Sequence, residues 1–295
     1  MAKRIAFIGF GEAAFYFSSG FREDGVDVHI EAYDPIAQDP ANVRSSLLRD
    51  RAEKLSVDLK KNIRDVSGAE IIFCAVPSTA VEKAANQIME SLGDKTIFID
   101  ITSSLPQVKR SLGGRFAANG KLYVDASVMG AAPLLKHKTP FVLSGNGAKQ
   151  AAAVLGTLHM NVQYVGEEPG RAATLKLLRS IYTKGVEALA LETFLSARKL
   201  GLEKEIMQSL HRTYEVQGFE TTVGQLLRSN TLHSGRRAVE AQECCDLIRE
   251  TGYEPVMMEA VRNKLQWMAG RWNNSRSDSP ETLEELYELW DRLNI

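Results

Sequence analysis

The chain predicts an α/β fold, a doubly wound parallel sheet in the first half, followed by an all-α second half. Three observations carry that expectation. Apolar runs alternate with helical stretches from Lys3 to Val165, the pattern of strands joined by crossover helices. Ile71-Ile-Phe-Cys-Ala-Val76 is apolar without interruption, as expected of a parallel strand covered on both faces. From Gly170 onward every stretch has helical character and none reads as a strand. At 295 residues the chain exceeds one ordinary core. Two domains are therefore expected, 1–166 and 167–295, joined by a long helix over 170–200.

Taken in order, the basic pair Lys3-Arg4 leads into Ile5-Ala-Phe-Ile8, an apolar run with strand propensity. It breaks at Gly9-Phe10-Gly11-Glu12-Ala13-Ala14, and Ala13 to Phe17 reads as a helix start. This is the dinucleotide fingerprint with alanine in its third small position. Gly9 permits the tight turn, Gly11 lets backbone approach a pyrophosphate, and Ala14 keeps helix close to strand. The helix N-terminus attracts phosphate charge. The next strand, Val28 to Tyr33, ends in Asp34, near the spacing of about 20 residues expected for a carboxylate that accepts ribose hydroxyls. That carboxylate repels the extra phosphate of NADP, so NAD is expected in preference to NADP.

Pro35 ends this strand. Asn42–Leu55 reads as a helix and Ser56–Lys60 as a short strand. Asp65–Glu70 turns into the run at Ile71, Pro77-Ser-Thr79 stops it, and Thr79–Leu92 is helical. Thr96–Asp100 is a strand, and Pro106 stands just inside the next helix, where proline is tolerated. Lys121–Ala126 and Phe141–Ser144 are strands, Ala148–His159 a helix and Val162–Val165 a last edge strand. In such sheets ligands bind beyond the carboxyl ends of the strands. Four loops are expected there: Gly9–Gly11, Pro77–Thr79, Thr102–Ser104 and Ser127–Pro133. Val76, Pro77, Ser78, Thr102 and Ser103 thereby join Gly9 to Ala14 and Asp34 as cofactor-binding candidates.

The character changes near Gly166. The helix over 170–200 has apolar positions around most of its circumference, including Leu175, Leu178, Ile181, Val186, Leu189 and Phe194, and is expected to be buried. Later helices are expected at 203–213, 221–229, 235–251, 255–270 and 280–293, with the polar run Asn273–Ser279 as a loop.

A net charge of −1, with 44% hydrophobic and 25% charged residues, gives no support to a nucleic-acid or membrane-surface role. No apolar run reaches the roughly 18 residues of a membrane span. The first strand begins almost at the first residue, leaving no room for a signal peptide, so cytoplasmic residence is expected. Cys74, Cys244 and Cys245 lack metal-ligand spacing, and no metal is expected.

Four stretches in order resemble the β-hydroxyacid dehydrogenases, the family of 6-phosphogluconate and 3-hydroxyisobutyrate dehydrogenases. They are Gly9 to Ala14, Asp100-Ile-Thr-Ser103, Asp125-Ala-Ser-Val-Met-Gly-Ala131 and Gly170-Arg-Ala-Ala-Thr-Leu-Lys176. The second is similar to the family's Asp-x-Ser-Thr loop beside the nicotinamide, and the third to its substrate loop. The wording from Lys176 to Leu189 resembles a less studied bacterial branch whose C-terminal helical domain is of unknown function.

The resemblance implies a Rossmann domain, hydride transfer to or from a small carboxylic acid, and Lys176 as general acid/base. Ser180 stands where the family has asparagine, one helical turn after Lys176. Ser103, Ser127, Met129, Gly130 and Ala131 are implied in substrate binding. Arg179 can grip a carboxylate with two hydrogen bonds. His233, and behind it Arg236 and Arg237, are expected near the substrate. Met129 replaces the family's serine, which argues against 6-phosphogluconate and for a larger or more apolar substrate. A homodimer is expected. Two other readings stand beside the dehydrogenase, an imine reductase on the same fold and a non-catalytic NAD-sensing protein.

Overall fold

The computed structural model describes residues 2–272 and 279–295. Of the expected loop Asn273–Ser279, residues 273–278 lie outside them. Among the described residues, eight strands and six α-helices alternate through the first half and give way to helices alone, as the sequence predicts. No helix among the described residues is long and apolar enough to cross a membrane. Two compact units divide the chain, Met1–Ser180 and Ile181–Ile295, so the division falls inside the long helix.

The first unit is built on one sheet of strands β1 (Lys3–Ile8), β2 (Val28–Tyr33), β3 (Asp58–Leu59), β4 (Ile71–Cys74), β5 (Ile97–Asp100), β6 (Leu122–Val128), β7 (Phe141–Ser144) and β8 (Val162–Tyr164). Their spatial order is β3-β2-β1-β4-β5-β6-β7-β8. β1, β2, β3, β4, β5 and β6 run parallel. Successive strands are added on one side of β1 up to β3 and on its other side from β4, and this change of side makes the switch point at which such sheets bind ligands.

Helices α1 (Glu12–Glu23), α2 (Ser45–Lys54), α3 (Val81–Ile88), α4 (Pro106–Ala118), α5 (Ala132–Leu135) and α6 (Ala148–Gly156) connect the strands. α1 buries Ala14, Phe17 and Phe21, spaced three, four and seven apart, so one stripe faces the sheet. Phe17 meets Phe73 and Phe141 edge-on at 6.5 and 5.4 Å. On the opposite face Phe98, Phe116 and Tyr123 pack together.

Two expectations for this unit need correction. The sheet is not wholly parallel, because β7 runs antiparallel to β6, with β8 parallel to β7. The connection 129–140 carries the four-residue α5 and a single 3-10 turn, Lys136–Lys138, together too short a rod to return the chain to the starting edge. Ser127, expected in a loop, lies inside β6 and is buried.

Three further helices are α8 (Glu203–Glu250), α9 (Val256–Ala269) and α10 (Leu283–Leu293), while α7 (Arg171–Leu200) runs from one unit into the other. α8 breaks at Gly218, where φ is 72° and ψ 167°, inside the expected gap between helices. The second expected gap, 230–234, is helical instead. That segment holds neither glycine nor proline, and its Thr231 hydroxyl bonds the Arg228 carbonyl one turn back. Nor is α7 buried as expected. Leu178 and Ile181 are 58% and 73% exposed, so its apolar circumference exceeds what one chain covers.

Candidate functional site

β1 delivers the fingerprint to the carboxyl edge of the sheet. Gly9 has φ +88°, and a Cβ there would stand 2.7 Å from the Ala75 carbonyl oxygen at the end of β4. Left-handed backbone and close approach both require glycine at this turn. Gly11 is different. Nothing lies within 4 Å of where its Cβ would be, so the backbone faces open space. It caps α1 without a side-chain hydrogen bond, leaving the first-turn amides of α1 free of any capping side chain. That open, donor-rich helix start fits a pyrophosphate. Glu12 is exposed, Ala13 half-buried and Ala14 fully buried between α1 and the sheet.

Asp34 lies beside this loop and is 7% exposed. Its Oδ2 accepts the Phe10 amide at 2.8 Å and its Oδ1 the Ile36 amide at 2.8 Å. The carboxylate thus also braces the fingerprint, a role that spacing alone does not reveal. Each oxygen keeps a further lone pair for a ribose hydroxyl.

β4, β5 and β6 end on the same edge. Val76 is half-buried, and Pro77 and Ser78 are exposed. Thr102 turns inward, its hydroxyl bonding Asp100 Oδ1 at 2.7 Å and Ser104 Oγ at 2.8 Å. Ser103, next to it, is exposed. Met129 is half-buried with its amide bonded to Pro140 O, while Gly130 and Ala131 are exposed.

α7 begins against this edge. Gly170, at φ +92°, lies so close to α4 that a Cβ would be 2.7 Å from Pro106 O. The start of α7 is capped from the sheet rather than by its own side chains. Asp125 Oδ2 accepts the Gly170 and Ala173 amides at 3.0 and 3.1 Å, and Ser144 Oγ accepts the Ala172 amide at 3.0 Å. A carboxylate there also complements the helix dipole.

Lys176 lies three and four residues beyond these pinned positions, hence on the same helix face. It is half-buried, and its Nζ donates to Ser103 Oγ at 3.3 Å. Desolvation first, and repulsion from Lys109 second, hold its amine below the usual lysine range, with Asp125 opposing. The structure therefore brings Gly9 to Ala14, Asp34, Val76 to Ser78, Thr102, Ser103 and Lys176 to one edge of one unit. Ser180 is half-buried one turn beyond Lys176, and Arg179 is exposed.

His233 is on α8, in the second unit. It lines a cavity of about 700 Å³ within that unit, with Arg228, Ser229 and Arg237, whose guanidinium bonds Ser229 Oγ at 2.8 Å. Arg236 pairs with Glu240.

Sequence reasoning missed a buried cluster under the edge. Lys109 of α4 is fully buried, with Nζ 2.8 Å from Asp100 Oδ1, 2.9 Å from Asp100 O and 3.7 Å from Asp125 Oδ1. The Tyr123 hydroxyl donates to Asp100 Oδ2 at 2.8 Å. Lys109 falls on the inward stripe of α4 with Leu112, Gly113 and Phe116, opposite Asp100 at the end of β5 and Asp125 within β6.

Residues 4–104 match the family model described as NADP oxidoreductase coenzyme F420-dependent, and residues 197–268 match a domain of unknown function, DUF1932. An uncharacterized 28.5 kDa protein of Methanothermus fervidus is 30% identical over 264 residues, 89% of this chain and 98% of that one. The NADH-dependent oxidoreductase ucdB of Aspergillus ustus is 24% identical over 71% of each chain. Mitochondrial 3-hydroxyisobutyrate dehydrogenase of Drosophila melanogaster is 25% identical over 56% of this chain and 49% of its own.

Among solved structures, a conserved hypothetical protein of Sinorhizobium meliloti 1021 is 29% identical with a TM-score of 0.62, covering 99% of this chain and 97% of that one. A conserved protein of unknown function, described as structurally similar to 3-hydroxyacid dehydrogenases, is 28% identical at TM-score 0.59, covering 90% and 97%. An imine reductase of Streptomyces aurantiacus reaches TM-score 0.76 over 97% of this chain and 99% of its own, at 14% identity, a likeness of fold alone.

Fold, fingerprint edge and these relatives define a pyridine-nucleotide oxidoreductase with a 3-hydroxyacid-dehydrogenase-like fold. The chain belongs to one family with the uncharacterized Methanothermus fervidus protein, and it joins an oxidoreductase region to the domain of unknown function DUF1932.

Proposed function

We propose that the chain transfers a hydride between a nicotinamide cofactor and the carbinol carbon of a β-hydroxy acid, with Lys176 as general acid/base. The observation that carries this reading is the Lys176 amine, half-buried, bonded to Ser103 and held below the usual lysine range chiefly by desolvation. Gly9 to Ala14, Asp34, Val76 to Ser78, Thr102 and Ser103 hold the cofactor in this reading, which supplies the hydride acceptor when bound.

The chain supplies the rest. As a free amine Lys176 takes the hydroxyl proton while the carbonyl forms, and as an ammonium it returns that proton in the reverse direction. A lowered pKa enlarges the free-amine fraction near neutrality. Oxidation therefore quickens as pH rises through that pKa, and reduction slows. Ser103 and Ser180 position the substrate, while Arg179 and the segment Met129, Gly130 and Ala131 hold its acid group; Ser127, buried within β6, is left out of this role. Met129 favours a larger or more apolar acid than a sugar phosphate.

NAD is the proposed cofactor. The Asp34 carboxylate, fixed by two amides, accepts ribose hydroxyls and repels a 2′-phosphate. The Aspergillus ustus relative is NADH-dependent, whereas the family model over residues 4–104 is described as an NADP oxidoreductase, so Asp34 carries the choice. A homodimer is proposed because Leu178, Ile181 and Val216 expose apolar surface of the kind a second copy covers.

The test is a spectrophotometric screen of β-hydroxy acids and imines with NAD and NADP. Reduction of NAD by a hydroxy acid is expected. Turnover of imines alone would move the chain to the imine reductases. Tight NAD binding without turnover on either class would favour a sensor.

A further inference from the structure

We propose that Lys109 is a positioning residue for Lys176, the buried cation that locks the Ser103 loop and the first turn of α7 into one register. This rests on the reading of Lys176 as general acid/base. The geometry is a closed chain of contacts. Asp100 ends β5 and holds the loop, since its Oδ1 accepts both the amide and the hydroxyl of Thr102, at 2.9 and 2.7 Å. Asp125 lies on β6 and holds α7 through the amides of Gly170 and Ala173. The two aspartates are register partners on adjacent strands and fully buried.

Left alone, two such carboxylates repel each other in a medium that screens poorly. Lys109 stands with its ammonium 2.8 Å from one and 3.7 Å from the other. Asp125 Oδ1 has no hydrogen-bond partner and Lys109 as its nearest cation, so the ammonium is its counter-charge. Without it, either the loop or the helix start must shift, and the Lys176–Ser103 contact spans both.

Lys109 also acts on Lys176 through space. The charged groups acting on Lys176 from packed elements are Lys109 of α4, which disfavours its ammonium, and Asp125 of β6, which favours it. Behind them stand Asp100 of β5, Tyr123 of β6 and Cys74 of β4. Arg171 and Arg179 on α7 itself are exposed.

The experiment is pulsed acetylation of the full chain with acetic anhydride across a pH series, with Lys176 modification read by mass spectrometry, beside kcat measurements. In Lys109→Met the labelling midpoint of Lys176 moves to higher pH and kcat falls by about 10²-fold, the loss typical of a 1 Å misplacement. In Asp125→Asn the midpoint moves to lower pH. Lys109→Arg restores the midpoint and part of kcat.

A folded Lys109→Met with the wild-type midpoint overturns the proposal, as does an Asp125→Asn midpoint that stays or rises. Should Lys109→Met not fold, Lys109→Met/Asp100→Asn removes the charges as a pair, and the same upward shift is expected. Undiminished turnover in Lys176→Ala with the midpoints shifted as above would sink the acid/base reading alone. Loss of turnover in Lys176→Ala with unmoved midpoints would sink the positioning role alone.

Discussion

Residues 1–180 bury aromatic side chains on both faces of their sheet, Phe7, Phe17 and Phe73 on one and Phe98, Phe116 and Tyr123 on the other. Residues 181–295 hold one small cluster among the described residues, Met268, Trp272, Leu286 and Leu289, while Ile181 and Val216 stand 73% and 80% exposed. Each fully buried phenylalanine is worth roughly 1.5–3 kcal/mol. The first unit therefore builds an apolar core on both faces of its sheet and still buries a charged cluster under its functional edge, although Val43 and Leu134 stay exposed. The second does not, and its exposed leucines, isoleucine and valine are what a second copy would cover. A rigid sheet holds the chemistry in this account, and the helical unit serves assembly.

The comparison can be broken at its strongest point first. Asp100→Ala removes the carboxylate paired with buried Lys109 and orphans the Tyr123 hydroxyl. A loss of about 3–5 kcal/mol is expected in urea denaturation, because a broken buried pair leaves an uncompensated charge. A loss below about 1 kcal/mol, the size of one ordinary hydrogen bond, would deny the cluster its place in the core.

Ile181→Glu probes the second unit. Sedimentation should show weaker self-association, by about tenfold to a hundredfold for one apolar side chain, with helical content retained. A wild-type chain that sediments as a monomer would break the comparison outright. The smallest effect belongs to Thr282→Ala. The Thr282 hydroxyl accepts the Glu285 amide at 3.2 Å and caps α10. About 1 kcal/mol is expected, read as faster amide exchange at Glu285. Unchanged exchange would mean the cap contributes nothing.

Much of the first unit was legible because its signals are local. Gly9 and Gly11 break an apolar run, and the structure finds a left-handed turn and an open helix start at those positions. Pro106 inside α4 and the Ile71 run behave likewise. What was hidden depends on partners far along the chain. Phe141–Ser144 reads as a strand in either direction, and its reversal is set by the short α5 before it. Lys109 looks like a solvated helix lysine until Asp100 and Asp125 arrive from two strands. α7 was expected to be buried from its apolar circumference, yet Leu178 and Ile181 stand exposed, because periodicity does not say what packs against a helix.

The central claim is that Lys176 moves the proton, and the pH dependence of alcohol oxidation tests it most directly. Its lowered pKa predicts a wild-type rate that climbs through an inflection below that of an ordinary lysine. In Lys176→Ala that inflection disappears and kcat drops by about 10²–10⁴-fold, with cofactor affinity unchanged in the same samples. An unchanged kcat, or the same inflection persisting in the variant, would contradict the account.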